Sequence, residues 1–91
     1  MANERRTVHF GGDVQGVGFR YTACRVAVQY EVTGYVRNLP DGRVEVVAEG
    51  PSQEIDAFLA ELRRRMDGYV SALTQQTGAY TGSFGSFTVR Y

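Results

Sequence analysis

Apolar residues in this chain recur at two different spacings, and the order in which the spacings alternate leaves few folds open. Val8 and Phe10 alternate with Thr7 and His9 over Arg5 to Gly12, the period of a strand with one buried face. Phe19, Ala23, Val26, Ala27 and Tyr30 then fall at helical spacing. Val32 to Asn38 and Arg43 to Glu49 return to the strand period. They are joined by Leu39-Pro40-Asp41-Gly42, where Pro presets one dihedral, Asp bonds its own backbone and Gly takes a positive φ. On the second of these strands Val44, Val46 and Ala48 are expected inward, with Glu45 and Glu49 outward in water. Gly50-Pro51-Ser52 breaks the hairpin, with Ser52 suited to cap a helix. Ile55, Phe58, Leu59, Leu62 and Met66 follow at helical spacing to a stop at Gly68. Tyr69 to Gln76 reads as a weak strand and Thr77 to Gly85 as a glycine-rich loop. Phe87 to Tyr91 reads as a closing strand whose Phe87, Val89 and Tyr91 face the core.

The order is strand-helix-strand-strand-helix-strand, with the weak strand as an extra. That is the split βαβ plan of the ferredoxin-like α/β sandwich (α+β, βαββαβ): an antiparallel sheet of four or five strands with two helices on one face. Ninety-one residues fit one such domain, spanning 1-91.

Ten basic residues, all arginine, balance ten acidic ones, so no bulk field draws the chain to nucleic acid or anionic membrane. Arg63-Arg64-Arg65 complements a helix C-terminus and has no interleaved aromatics. The single cysteine, Cys24, permits no internal disulfide and reads as an inert thiol within the first helix. No apolar run is long enough to cross a bilayer and no signal core opens the chain, so a cytoplasmic location is expected. His9, the sole histidine, has no second ligand nearby, which argues against a metal site.

The chemistry concentrates between the first strand and the first helix, in Gly12-Asp13-Val14-Gln15-Gly16-Val17-Gly18-Phe19-Arg20. Gly16 and Gly18 allow a sharp turn that gathers N–H groups on one concave side, and the helix start adds unpaired N–H groups and the positive end of its dipole. Arg20 contributes a planar fork matched to phosphate oxygens. A cation in the first helical turn opposes the dipole unless an anion binds beside it, and such conflicts mark functional sites. In the split βαβ plan the first two long strands run the same way. Asn38, at the end of the second, should therefore stand near this anion cradle, where its amide could hold a water or simply close the strand end.

Two stretches resemble the acylphosphatase family: Gly12 to Arg20, and Gly34-Tyr35-Val36-Arg37-Asn38 followed three residues later by Gly42-Arg43-Val44 and then by Gly50. Phe87-Thr88-Val89-Arg90-Tyr91 is similar to the family's last strand, so the resemblance spans nearly the whole chain. It implies hydrolysis of acyl phosphates to a carboxylate and inorganic phosphate, with the family's ferredoxin-like fold and without metal or cofactor. It further implies that Arg20 binds phosphate, that Asn38 orients the attacking water, and that Gln15, Gly16, Val17, Gly18 and Phe19 form the phosphate-holding loop. The expected partner is a small-molecule acyl phosphate, with no nucleic acid or membrane, and the expected state is a monomer. Asp13 would repel phosphate if it pointed inward. Other readings of the same fold are a non-catalytic phosphate- or ligand-binding module and an RNA-binding sheet, the latter opposed by the charge balance.

Overall fold

The computed structural model describes residues 2–91. The elements run β1 (Asn3–Gly12), α1 (Phe19–Ala27), β2 (Thr33–Asn38), β3 (Val44–Pro51), α2 (Ser52–Arg65), β4 (Val70–Ala79) and β5 (Phe87–Val89). The five strands form one sheet in the order β4-β1-β3-β2-β5. Every pairing is antiparallel except that of β5 with β2, which is parallel, so the sheet is mixed where an all-antiparallel one was expected.

Both helices pack on one face. Phe19, Ala23, Val26 and Ala27 of α1 and Ile55, Phe58, Leu59 and Leu62 of α2 share a core with Val8, Phe10, Val36, Val44, Val46 and Ala48 from the sheet. The inward residues of each strand are alternate ones, as the pleat demands. β1 and β2 both run antiparallel to β3 and hence parallel to each other, so their C-terminal ends open at the same edge.

The other face is not bare. Residues 80–86 cross it between β4 and β5. Glu49, expected in water, is only 1% exposed. Its carboxylate accepts from the Thr81 amide (3.2 Å), the Thr81 hydroxyl (2.7 Å) and the Gly82 amide (3.0 Å), with the Arg5 guanidinium 3.6 Å away. Phe84 stacks edge-on to Tyr35 in the same strap. Glu45, also expected outward, is nearly buried and accepts from His9 Nε2 (2.8 Å), Arg37 Nε (2.7 Å) and the Tyr35 hydroxyl (3.0 Å). The alternation put both carboxylates on the correct face, but each is covered by partners distant in sequence.

Several boundaries differ from the periodicity. α1 ends at Ala27, and Gln29 and Tyr30 bond back three residues in a tightened final turn. β4 continues through Thr77 to Ala79 because Arg6, Arg5 and Glu4 of β1 pair with those residues. Ser52 begins α2 itself, with Pro51 at the cap position, and its hydroxyl donates to Glu4 (2.6 Å) instead of capping. Tyr91 is 99% exposed and not in the core, since β5 stops at Val89.

Candidate active site

The loop after β1 is anchored at its start before it turns. The Asp13 amide donates to the Tyr69 carbonyl (2.9 Å), and Val14 is fully buried in the core. Gly16 and Gly18 take φ of 78° and 80°, the left-handed region open to glycine at little cost. Gly18 is the residue from which α1 departs, with no side chain capping the helix. The first-turn N–H groups of α1 are therefore without an acceptor from a capping side chain. Phe19 fixes the start of the helix by burying its ring 4.9 Å from that of Phe10.

Arg20 emerges from this first turn, where no acidic residue is present. Among the described residues no carboxylate pairs with it; its guanidinium lies 5.3 Å from the centre of the Tyr91 ring. Asn38 ends β2, opposite Val44 in the register. A cavity of about 330 Å³ has Gly16, Gly18, Phe19, Arg20 and Asn38 in its walls. The two sequence stretches, separated by a helix, thus meet at one opening.

Two of the expected loop residues do not line it. Val17 packs partly buried against the core. The Gln15 side chain turns to the β2–β3 hairpin, where Nε2 donates to the carbonyls of Leu39 (2.8 Å) and Arg43 (2.9 Å). Both hydrogens of that amide are consumed in tying the glycine loop to the turn behind Asn38. Asp13 is exposed and absent from the cavity wall, so its charge is directed elsewhere.

The cavity also has walls outside the glycine loop and the Asn38 strand: Tyr21 and Cys24 from α1, and Val89 and Tyr91 from the closing stretch. Cys24 was expected to be an inert residue of the helix interior. It is half-buried and one helical turn beyond Arg20, and that i, i+4 spacing was the available signal. Burial pushes its thiol pKa up, which keeps it protonated and a poor nucleophile. His9 lies on the opposite face of the sheet, engaged with Glu45. Among the described residues no group of three or more His, Cys, Asp or Glu is placed to hold a metal ion.

Comparison with known proteins identifies the family. A family model described as acylphosphatase matches residues 6–89. An acylphosphatase of Syntrophotalea carbinolica is 46% identical over 88 residues, 96% of each chain. One of Methylococcus capsulatus is 47% identical over 87 residues, 94% of this chain and 95% of the relative. The crystal structure of the acylphosphatase from Bacillus subtilis superposes with a TM-score of 0.88 at 29% identity, covering 97% of this chain and 99% of that one. On the matched length and the identity along nearly all of both chains, this chain belongs to the acylphosphatase family.

Proposed function

We propose that the protein hydrolyses the carboxyl–phosphate bond of acyl phosphates, releasing a carboxylate and inorganic phosphate. The observation that carries this reading is the shared cavity of Gly16, Gly18, Phe19, Arg20 and Asn38. An acyl phosphate is a mixed anhydride with a good leaving group. Catalysis then asks for charge neutralisation and alignment more than for a strong base. The Arg20 fork and the amides of the Gln15–Phe19 loop hold the phosphoryl oxygens. The Asn38 amide holds a water on the side of phosphorus away from the leaving group. The water oxygen bonds to phosphorus as the bond to the carboxylate oxygen breaks, and the water's proton passes to a phosphoryl oxygen. In this scheme Arg20 and the helix N-terminus supply the positive charge, and no metal is required.

The protein acts in this reading as one unit of residues 1-91, as a cytoplasmic monomer. No helix among the described residues is long and apolar enough to cross a membrane.

Benzoyl phosphate hydrolysis by the purified protein in the presence of a chelator tests the proposal, with Arg20→Lys beside it. The expected result is turnover that the chelator spares and the variant loses. A folded wild-type protein that binds phosphate without turnover would overturn it in favour of a non-catalytic binding module.

A further inference from the structure

A phosphoryl group of four non-hydrogen atoms fills only part of a cavity of about 330 Å³, which lies in the size range of small-molecule clefts, roughly 300–1,000 Å³. The remaining wall on the helix side is formed by Tyr21 and Cys24. Those two side chains also form a wall of a second cavity, of about 370 Å³, whose far end holds Arg25 and Val28. Arg20, Cys24 and Val28 succeed one another at i, i+4, i+8, and Tyr21 and Arg25 at i, i+4. The two rows are neighbours on α1 and its final turn, together spanning about 140° of its circumference from Arg20 to Arg25. The track is open to solvent along its length: Tyr21 is 65% exposed and Val28 85%.

Its far end is cationic. The Arg25 guanidinium donates to the Tyr21 hydroxyl (2.8 Å) and sits over that ring at 5.5 Å, so it is held along the track. Among the described residues no carboxylate pairs with Arg25. Arg65, on the same cavity, is already bonded to Glu61 at 2.8 Å. Arg25 therefore offers the unspent positive charge. Five residues at about 1.5 Å rise each put it about 7–8 Å along the helix axis from Arg20.

We infer that this track is the acyl subsite, and that it favours acyl phosphates bearing a second carboxylate: the apolar or aromatic part of the acyl group lies against Tyr21 and Cys24, and the distal carboxylate meets Arg25. The inference rests on the acyl phosphatase reading above and adds a substrate class to it.

The test compares 4-carboxybenzoyl phosphate with benzoyl phosphate, in wild type and Arg25→Gln, at low ionic strength. Arg25 is exposed and outside the phosphate-holding loop, so benzoyl phosphate turnover by the variant should match wild type. In wild type, kcat/KM for the carboxylated substrate should exceed that for benzoyl phosphate by about fivefold, as a partly exposed charge-assisted hydrogen bond gives. The preference should vanish in Arg25→Gln and shrink as salt is raised. Equal kcat/KM for the two substrates in wild type, or a preference that Arg25→Gln retains, overturns the subsite while leaving the hydrolase reading intact. Failure of folded wild type to turn over benzoyl phosphate overturns that reading, and the subsite with it.

Discussion

A guanidinium in the first turn of a helix, with no acidic residue beside it, is electrostatically misplaced until an anion arrives. Arg20 has that situation, and a lysine in its place would keep the charge while losing the planar pair of donors that fits two phosphoryl oxygens. Arg20→Lys is expected to lower kcat/KM for benzoyl phosphate by roughly a hundredfold to a thousandfold, the cost of removing one oriented donor from a preorganised site. The circular dichroism spectrum and melting temperature should stay near wild type, because among the described residues Arg20 makes no side-chain hydrogen bond or ion pair and touches only the exposed Tyr91 ring. In the proposed scheme Asn38 has a different task. Asn38→Ala should lower kcat on the order of a hundredfold with little change in the inhibition constant of inorganic phosphate, since it removes an interaction made with the attacking water and not with the bound ground state. Equal losses in kcat and phosphate affinity would place Asn38 among the phosphate ligands instead.

The two residues proposed for catalysis lie on different elements, so their separation depends on how the glycine loop and the β2–β3 hairpin are joined. The joint is the Gln15 amide, which spans the carbonyls of Leu39 and Arg43. The Leu39 amide itself donates to the Arg43 carbonyl (2.8 Å), so the one side chain engages both sides of the closed turn. Gln15→Leu leaves those carbonyls to water and costs about 1–2 kcal/mol of stability at two ordinary hydrogen bonds. Its larger effect should fall on alignment. We expect kcat to drop about tenfold with phosphate inhibition nearly unchanged, because the cradle stays whole while Asn38 shifts relative to it. An unchanged kcat, measured at saturating benzoyl phosphate, would show that the hairpin holds its position without Gln15.

At the scale of the whole molecule the sheet has two faces of different character, an apolar one beneath the helices and one on which Glu45 and Glu49 of β3 are enclosed among polar partners. Burial pushes the Glu45 carboxyl upward, but hydrogen bonds from His9, Arg37 and Tyr35 outweigh it and hold the group below the ordinary glutamate value. A carboxylate lowered in the folded state stabilises the protein above its unfolded value, about 4.3, and loses that contribution as pH falls through the folded one. Urea unfolding from pH 7 down to pH 2 should therefore show stability falling below about pH 4.3. Glu45→Gln should fall less over the same range, and should be less stable at pH 7 by on the order of 1 kcal/mol. Parallel pH profiles for the two proteins would mean that the Glu45 cluster contributes no acid sensitivity.

The alternation of Val8 with Phe10 and of Val44, Val46 and Ala48, together with the stripes of Phe19–Ala27 and Ile55–Met66, determined the elements, the core and the element order. Side chains two or three to four residues apart share a face whatever else the chain does. That order also placed Asn38 beside the glycine loop, because two strands antiparallel to a common neighbour must end at the same edge. Tertiary structure alone decided what covers each face. Glu49 is buried because Thr81 and Gly82, more than thirty residues on, supply its donors. The Gln15 side chain is drawn out of the glycine loop by carbonyls twenty-four and twenty-eight residues away. Tyr91 leaves the core because β5 pairs only as far as Val89. Cys24 and Tyr21 become cavity walls because of where the last strand falls against α1. Periodicity records whether a position faces inward, but the partner it meets there is fixed by long-range closure, which leaves no local trace in the sequence.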